Sequence, residues 1–203
     1  PDDLASSETA DLFMSVIMYR LRPGGRAAVI LPDGFLFGTD NAKVNIKKKL
    51  LSEFNLHTVI RMPGSVFAPY PSITTNILFF DRTGSTQETW FYRLDMPEGY
   101  KHFSKTKPMK LEHFDPAIQW WHNRQEIAAD GFDKAKKYTA EELAERNYNI
   151  DLCGFPHEEE EILPPRELIQ QYQEKRASLN ADIDRILEQI TGILGISEME
   201  DLT

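Results

Sequence analysis

Cysteine is nearly absent: Cys153 stands alone among 203 residues. No internal disulfide can form, and no zinc cage can be built from cysteines. Long apolar runs are missing too; none approaches the roughly 20 residues of a membrane span. The first ten residues, PDDLASSETA, carry no secretory signal pattern. The expected setting is soluble, reducing and cytoplasmic, with no membrane partner. Positive charge is in deficit, since 23 Lys+Arg against 32 Asp+Glu leave a net −9. That balance disfavours nonspecific nucleic-acid binding, so any such contact must come from a local basic patch or a partner chain. An initiator Met is also lacking, and the chain is expected to be a piece excised from something longer. What is present is a globular composition, 41% hydrophobic and 27% charged, which excludes a wholly disordered chain.

Leu12, Phe13, Val16, Ile17 and Leu21 recur at helical spacing, with Ser6 or Ser7 as cap and Pro23-Gly24-Gly25 as stop. Arg26–Leu31 (RAAVIL) reads as a buried strand, broken by Pro32-Asp33-Gly34. A second helix is expected from Asn41 to Phe54, then strands over Leu56–Met62, Ile73–Asp81 and Thr89–Leu94. Helix and strand alternate, which argues an α/β fold with parallel pairing. The third strand follows the second through a loop of about ten residues without a helix. An antiparallel pair at a sheet edge fits that better than a crossover. The first 95 or so residues thus look like one half of a doubly wound sheet. Short helices are expected around Pro116–Gln125 and Thr139–Arg146.

Pro164-Pro165 opens a long helix, as proline tolerates at a first turn. Its apolar register is Ile169, Tyr172, Arg176, Leu179, Ile183, Ile186, Ile190 and Ile193, a heptad seam broken once by Arg176. A seam of isoleucines must meet another helix, and no second helix of matching length is visible in the chain. Docking on a partner chain, an intrachain hairpin and a self-dimer all satisfy it. Three parts are therefore expected: 1–96, α/β; 97–163, a mixed connecting region; 164–203, a docking helix.

Lys43, Lys47, Lys48 and Lys49 form a dense positive run. They could touch nucleic-acid phosphates or simply make a solvated helix face. Gly64 to Pro71 (GSVFAPYP) follows a strand end, where open α/β sheets build their ligand crevice. Its aromatics, Phe67 and Tyr70, could stack on a planar ligand such as a base or pack in the core. His57, His102, His113, His122 and His157 lack metal-ligand spacing, and Asp33, Asp40 and Asp81 show no acid/base pairing. No metal is expected, and Cys153 reads as a packed thiol. Gly24-Gly25 leads into a strand, so it is a turn and not a phosphate cradle.

Two stretches carry a family resemblance: Leu21–Phe37 (LRPGGRAAVILPDGFLF) and Val59–Phe80 (VIRMPGSVFAPYPSITTNILFF). In this order and spacing they resemble the modification (M) subunit of type I restriction-modification systems. That subunit is an adenine-specific DNA amino-methyltransferase that uses S-adenosylmethionine. Tyr148-Asn149-Ile150-Asp151 and the heptad helix are similar to the same family, so the resemblance covers nearly the whole chain. It implies the distal, incomplete part of a Rossmann-like S-adenosylmethionine-dependent methyltransferase sheet, followed by a helical tail. The family's cofactor-binding glycine motif and its catalytic Asn/Asp-Pro-Pro-Phe/Tyr motif lie upstream of the matched stretches. Neither occurs here, where the sole Pro-Pro follows Leu163. The cofactor is thus expected to bind the parent protein outside this chain. No catalytic residue is expected here, and the piece alone should be inactive.

One functional position is carried over. In related amino-methyltransferases an aromatic of the Gly-x-Val-Phe loop stacks on the flipped adenine, and Phe67 matches it. Flipping is needed because the adenine amino group cannot be attacked inside a duplex. Stacking offsets part of that cost, at about 1–3 kcal/mol per base. The resemblance further implies double-stranded DNA as substrate, with a specificity (S) subunit and a restriction (R) subunit as partners. The S subunit reads the sequence, which relieves this chain of a large basic face, and it would dock the seam Ile169–Ile190. Lys43, Lys47, Lys48 and Lys49 would approach the DNA backbone. Two rival readings stay open: a non-catalytic module that docks a partner through its heptad helix, and a methyltransferase branch acting on RNA or a small molecule.

Overall fold

The computed structural model describes residues 8–70, 73–129, 131–154 and 165–194. The chain divides into two compact units, Pro1–Glu159 and Glu160–Thr203.

The first unit opens with helix α1 (Thr9–Arg20), which has Glu8 at its N-cap without a side-chain capping bond. Ser6 and Ser7, the expected caps, lie outside the described residues. Gly24 turns the chain with φ +74°, a left-handed conformation that glycine adopts without a Cβ clash. Its N–H donates to Arg82 O at 2.9 Å, and Arg82 N–H donates back to Gly25 O at 2.9 Å. Strand β1 (Arg26–Pro32) follows, and Pro32-Asp33-Gly34 then starts a short helix, α2 (Asp33–Phe37), that buries Phe35 and Leu36. The sequence reading took that tripeptide as a mere break. Helix α3 (Asn41–Glu53) is capped by Asp40, whose carboxylate accepts from Lys43 N–H at 3.0 Å.

Strands β2 (Asn55–Arg61), β3 (Thr75–Asp81), β4 (Glu88–Arg93) and β5 (Ala135–Thr139) complete a five-stranded sheet of order β1-β3-β2-β4-β5. β3 is antiparallel to β2, as the short loop demands, but it is not at the sheet edge. It fills the gap between β1 and β2 and pairs antiparallel with both. β1, β2 and β4 therefore run in one direction, and β2 pairs parallel with β4. The stretch expected as a connecting region supplies β5, which pairs antiparallel with β4. It also supplies α4 (Asp115–His122) and α5 (Ala140–Glu145), the latter opened by a Thr139/Glu142 capping box.

One face of the sheet packs Leu56, Val59, Leu78 and Phe80 against Met14 and Ile46 of α1 and α3. The other packs Ile60 and Tyr92 against Ala117 and Trp120 of α4. Tyr92 and Trp120 stack at 4.6 Å between ring centroids. The apolar stripe read from the sequence of α1 is turned partly outward. Asp11, Met14 and Met18 are buried, whereas Leu12, Phe13 and Val16 are exposed. Ile30 on the edge strand β1 is also exposed. It aligns with Ile77 and Ile60 across the sheet, and those two help floor an apolar hollow of about 310 Å³ under Leu111, Ile118 and Trp121.

Two lysines of α3 clamp the loops around it. Lys43 Nζ lies 2.8 Å from Glu8, 3.3 Å from buried Asp11 and 3.2 Å from Asp40. Burial works to lower its pKa, but the Glu8, Asp40 and Asp11 carboxylates outweigh it and raise the pKa above the usual lysine value. Lys47 Nζ donates to Leu36 O at 2.9 Å and Gly38 O at 2.8 Å, with no carboxylate in hydrogen-bond contact. Burial pushes its pKa down to about 8. Gly38 is required beside this cluster, since a Cβ there would meet Lys43 Cδ at 2.2 Å and Gly34 O at 2.8 Å.

The second unit contains helix α6 (Pro165–Leu194), 30 residues and so about 45 Å long. Ile169, Tyr172, Leu179, Ile183, Ile186 and Ile190 are all exposed on it. Arg176 is exposed as well, and the side chain of Ile193 lies outside the described part. Among the described residues no helix is long and apolar enough to cross a membrane.

Lys47 yields a pH prediction. Its folded pKa of about 8 lies below the ordinary lysine value of 10.5, so the unfolded chain holds more protons between these limits and stability rises with pH. Relative to Lys47→Met, the wild type should gain up to about 3 kcal/mol from pH 8 to 10.5 and stay flat from pH 6 to 8 in urea unfolding. A constant difference across that window would contradict the depressed value.

Candidate functional site

Parallel strands β1, β2 and β4 end on the same side of the sheet, which is where open α/β sheets carry their ligand crevices. Three loops leave from there, at 33–40, 62–74 and 94–110. The row of residues that closes this end is Leu31, Asn76, Arg61 and Arg93, aligned by strand register. Two guanidiniums side by side in a buried row need separate acceptors, and both have them. Arg61 is fully buried; its Nε donates to Asn76 Oδ1 at 3.0 Å, its Nη1 to Gly154 O at 2.7 Å, and its Nη2 pairs with Asp151 at 2.5 Å. Arg93 donates to Asp95 at 2.9 Å and to the carbonyls of Phe132 and Cys153 at 3.3 Å. Burial works to raise the Asp95 pKa, but Lys134 and Arg93 outweigh it and hold the carboxyl below the usual range. The Tyr148–Asp151 motif is thereby tied under the sheet end, with Tyr148 at φ +58° and Ile150 fully buried. Cys153 is buried in the same place, and burial pushes its thiol up to about 12, so it is an inert packing group.

The loop after β2 stands on this knot. Met62 N–H donates to Thr75 O at 2.9 Å, and successive turn bonds, Ala68 N–H to Ser65 O at 3.0 Å and Tyr70 N–H to Phe67 O at 3.1 Å, curl residues 65–70. Phe67 is 45% exposed and Tyr70 75% exposed, so both aromatics are presented outward and not packed in the core. Ser65 Oγ accepts from Phe103 N–H at 2.9 Å, which fastens the loop after β4 to it. Between the two loops lies a hollow of about 310 Å³, lined by Ser65, Pro69 and Tyr70 on one side and by His102, Ser104 and Lys105 on the other.

The comparisons with known proteins follow this geometry. The family model described as N-6 DNA Methylase matches residues 2–162. The chain belongs to the N-6 DNA methylase family. It is 44% identical over 198 residues, 96% of its length, to the methylase subunit of the type I restriction enzyme EcoEI from Escherichia coli. It is 36% identical over 119 residues, 51% of its length, to the EcoKI methylase subunit of Escherichia coli strain K12. A modification subunit of a putative type I restriction enzyme from Vibrio vulnificus YJ016 superposes with a TM-score of 0.64 at 45% identity, over 70% of this chain and 30% of that one. A chain from a structure of type I R-M complex assembly gives a TM-score of 0.64 at 33% identity, over 95% of this chain and 41% of that one. The present chain spans 39% of the EcoEI subunit and 21% of the EcoKI subunit.

Within this N-6 DNA methylase chain, the expected site residues separate. Phe67 is at the carboxyl side of the sheet, beside the inter-loop hollow. The lysine run does not act as one patch. Lys43 and Lys47 are turned inward and satisfied by carboxylates and carbonyls, so they are neither a solvated face nor available to a phosphate. Lys49 pairs with Glu53, and Lys48 alone of the four is exposed. The reason is spacing: positions 43 and 47 are four apart and share the helix face that meets α1 and α2. A cradle for S-adenosylmethionine does not fit the residues present, because the Gly24-Gly25 turn feeds a strand and no glycine-rich strand-to-helix turn occurs. Among the described residues there is no cluster of His, Cys, Asp or Glu that could hold a metal ion. Arg61 escapes sequence reasoning altogether, since a lone arginine within an apolar strand gives no signal of its three acceptors.

Arg61→Lys keeps the charge but offers a point cation that cannot reach Asn76, Gly154 and Asp151 together. The variant should lose about 3 kcal/mol in urea unfolding. An unchanged midpoint would show that the knot does not hold this end of the sheet.

Proposed function

We propose that this chain is the distal part of a type I modification subunit, an S-adenosylmethionine-dependent methyltransferase that modifies the exocyclic amino group of adenine in duplex DNA. The carrying observation is Phe67, half-exposed at the strand-end loop with a hollow beside it. The chain's own task is to receive the base. An adenine taken out of the duplex lays its face on the Phe67 ring, which replaces part of the lost stacking. The loop can do this because Arg61 fixes the strand end beneath it, so little ordering is left for the moment of binding. Cofactor binding and the catalytic acceptors fall to the remainder of the parent protein, and the piece alone is inactive. The exposed β1 edge, Ile30, and the apolar residues of α1 are the surface on which the preceding strands and helices of that parent would pack.

The tail has a separate role in this reading. Six apolar seam residues exposed along one helix favour burial against helices of another chain. We assign that surface to the specificity subunit, with the restriction subunit completing the complex. The relationship to a type I assembly structure extends over 95% of the chain and supports this.

In the full-length subunit, Phe67→Ala should lower kcat/KM for adenine methylation by roughly 5- to 150-fold, the equivalent of about 1–3 kcal/mol of lost stacking. Co-purification with the specificity subunit should persist. Unchanged turnover would remove Phe67 from the site. Deleting the residues after Pro164 should abolish that co-purification, and a stable complex from the truncated subunit would remove the tail from the interface.

A further inference from the structure

The segment that faces the Phe67 loop carries a charge pattern opposite to that of the whole chain. Residues 101–110 (KHFSKTKPMK) contain Lys101, Lys105, Lys107 and Lys110, together with His102, and no carboxylate, in a chain of net charge −9. All four lysines are exposed. The segment is nonetheless anchored. Phe103 is buried, with its ring centroid 5.2 Å from that of His113 and 5.6 Å from that of Tyr100, and its N–H is the donor to Ser65 Oγ. Ser104 and Lys107 exchange backbone hydrogen bonds at 3.0 and 3.1 Å, a tight turn that projects Lys105 and Thr106 at its tip. Lys107 Nζ sits 3.7 Å from the Tyr100 ring centroid, and Lys110 lies 3.4 Å from Glu112, so these two are partly engaged within the protein. Lys105 lines the hollow that Ser65, Pro69 and Tyr70 line from the other side.

We propose that Lys101 and Lys105 bind the DNA backbone phosphates that flank the extruded nucleotide. This deepens the reading of Phe67 as the stacking residue and rests on it. A nucleotide drawn out of a duplex keeps its two phosphates, and they must follow it toward the pocket. Lysines on a loop pinned one hydrogen bond away from the stacking loop meet that need. Being point cations on flexible stems, they hold phosphate without choosing sequence. That division suits a subunit whose sequence reading is done by another chain. It also replaces the phosphate role of Lys43 and Lys47, which are buried.

The test uses the full-length subunit assembled with its specificity partner and a fluorescent duplex carrying its site, titrated from low to high salt. Lys101→Gln/Lys105→Gln should weaken binding and flatten the plot of log affinity against log salt by about 1–2 units of slope, near 0.9 for each phosphate released. Lys136→Gln/Lys137→Gln removes the same charge from β5 and should leave the slope at the wild-type value. An unchanged slope in the first pair, or an equal change in both pairs, overturns the proposal. If the first pair does not assemble, Lys105→Gln alone carries the test, with a slope change near 1. Phe67→Ala separates the two claims. If it leaves methylation untouched while the lysine pair still flattens the slope, the stacking reading fails and the phosphate site stands.

Discussion

A single buried guanidinium sets the architecture of the carboxyl end of this sheet. Arg61 finishes β2, and its three acceptors come from β3, from the Tyr148–Asp151 motif and from the Gly154 carbonyl. A buried cation is costly unless every proton it offers is taken. The structure meets that demand by folding residues 148–154 back under the strand ends, more than 85 positions along the chain from Arg61. Gly154 takes φ +63° there, and a Cβ would strike the Phe132 ring at 2.6 Å, so the backbone approach itself depends on glycine. With that end closed, the loop that leaves β2 starts from a rigid base. Phe67 owes its outward position to the strand it follows and not to contacts of its own ring.

Much of this was legible in the sequence. The strands at 26–32, 55–61 and 75–81 show as short apolar runs between Pro and Gly, and the short loop between the second and third forces an antiparallel pair. The heptad spacing of Ile169 to Ile190 identifies a long helix with an unpartnered face. Other features were illegible for physical reasons. Where β3 inserts is a choice between neighbours that local pattern does not encode. The fifth strand, AKKYT, is too polar to stand out, because its pairing partner and not its own hydrophobicity makes it a strand. The α1 stripe is apolar on a side that this chain does not cover, so helical spacing alone misassigns its buried face.

Lysines were the hardest residues to read. A run of four on one helix looks like a phosphate patch, yet two of them point to the protein interior as structural clamps, which their long apolar stems allow. The loop 101–110 has the better claim, and it escapes notice because its charges are spread along irregular backbone. Net charge misleads in the same way. An acidic total describes the whole surface, whereas the strand-end loops concentrate what positive charge there is beside the aromatics.

The most direct test of the central claim is the identity of the modified base. The full-length protein that contains these residues should be incubated with its specificity partner, duplex DNA and S-adenosylmethionine labelled in the methyl group, and the DNA then hydrolysed to nucleosides. The account predicts that the label is recovered as N6-methyladenine. Label recovered in cytosine, or no transfer to duplex DNA by the intact complex, would contradict it.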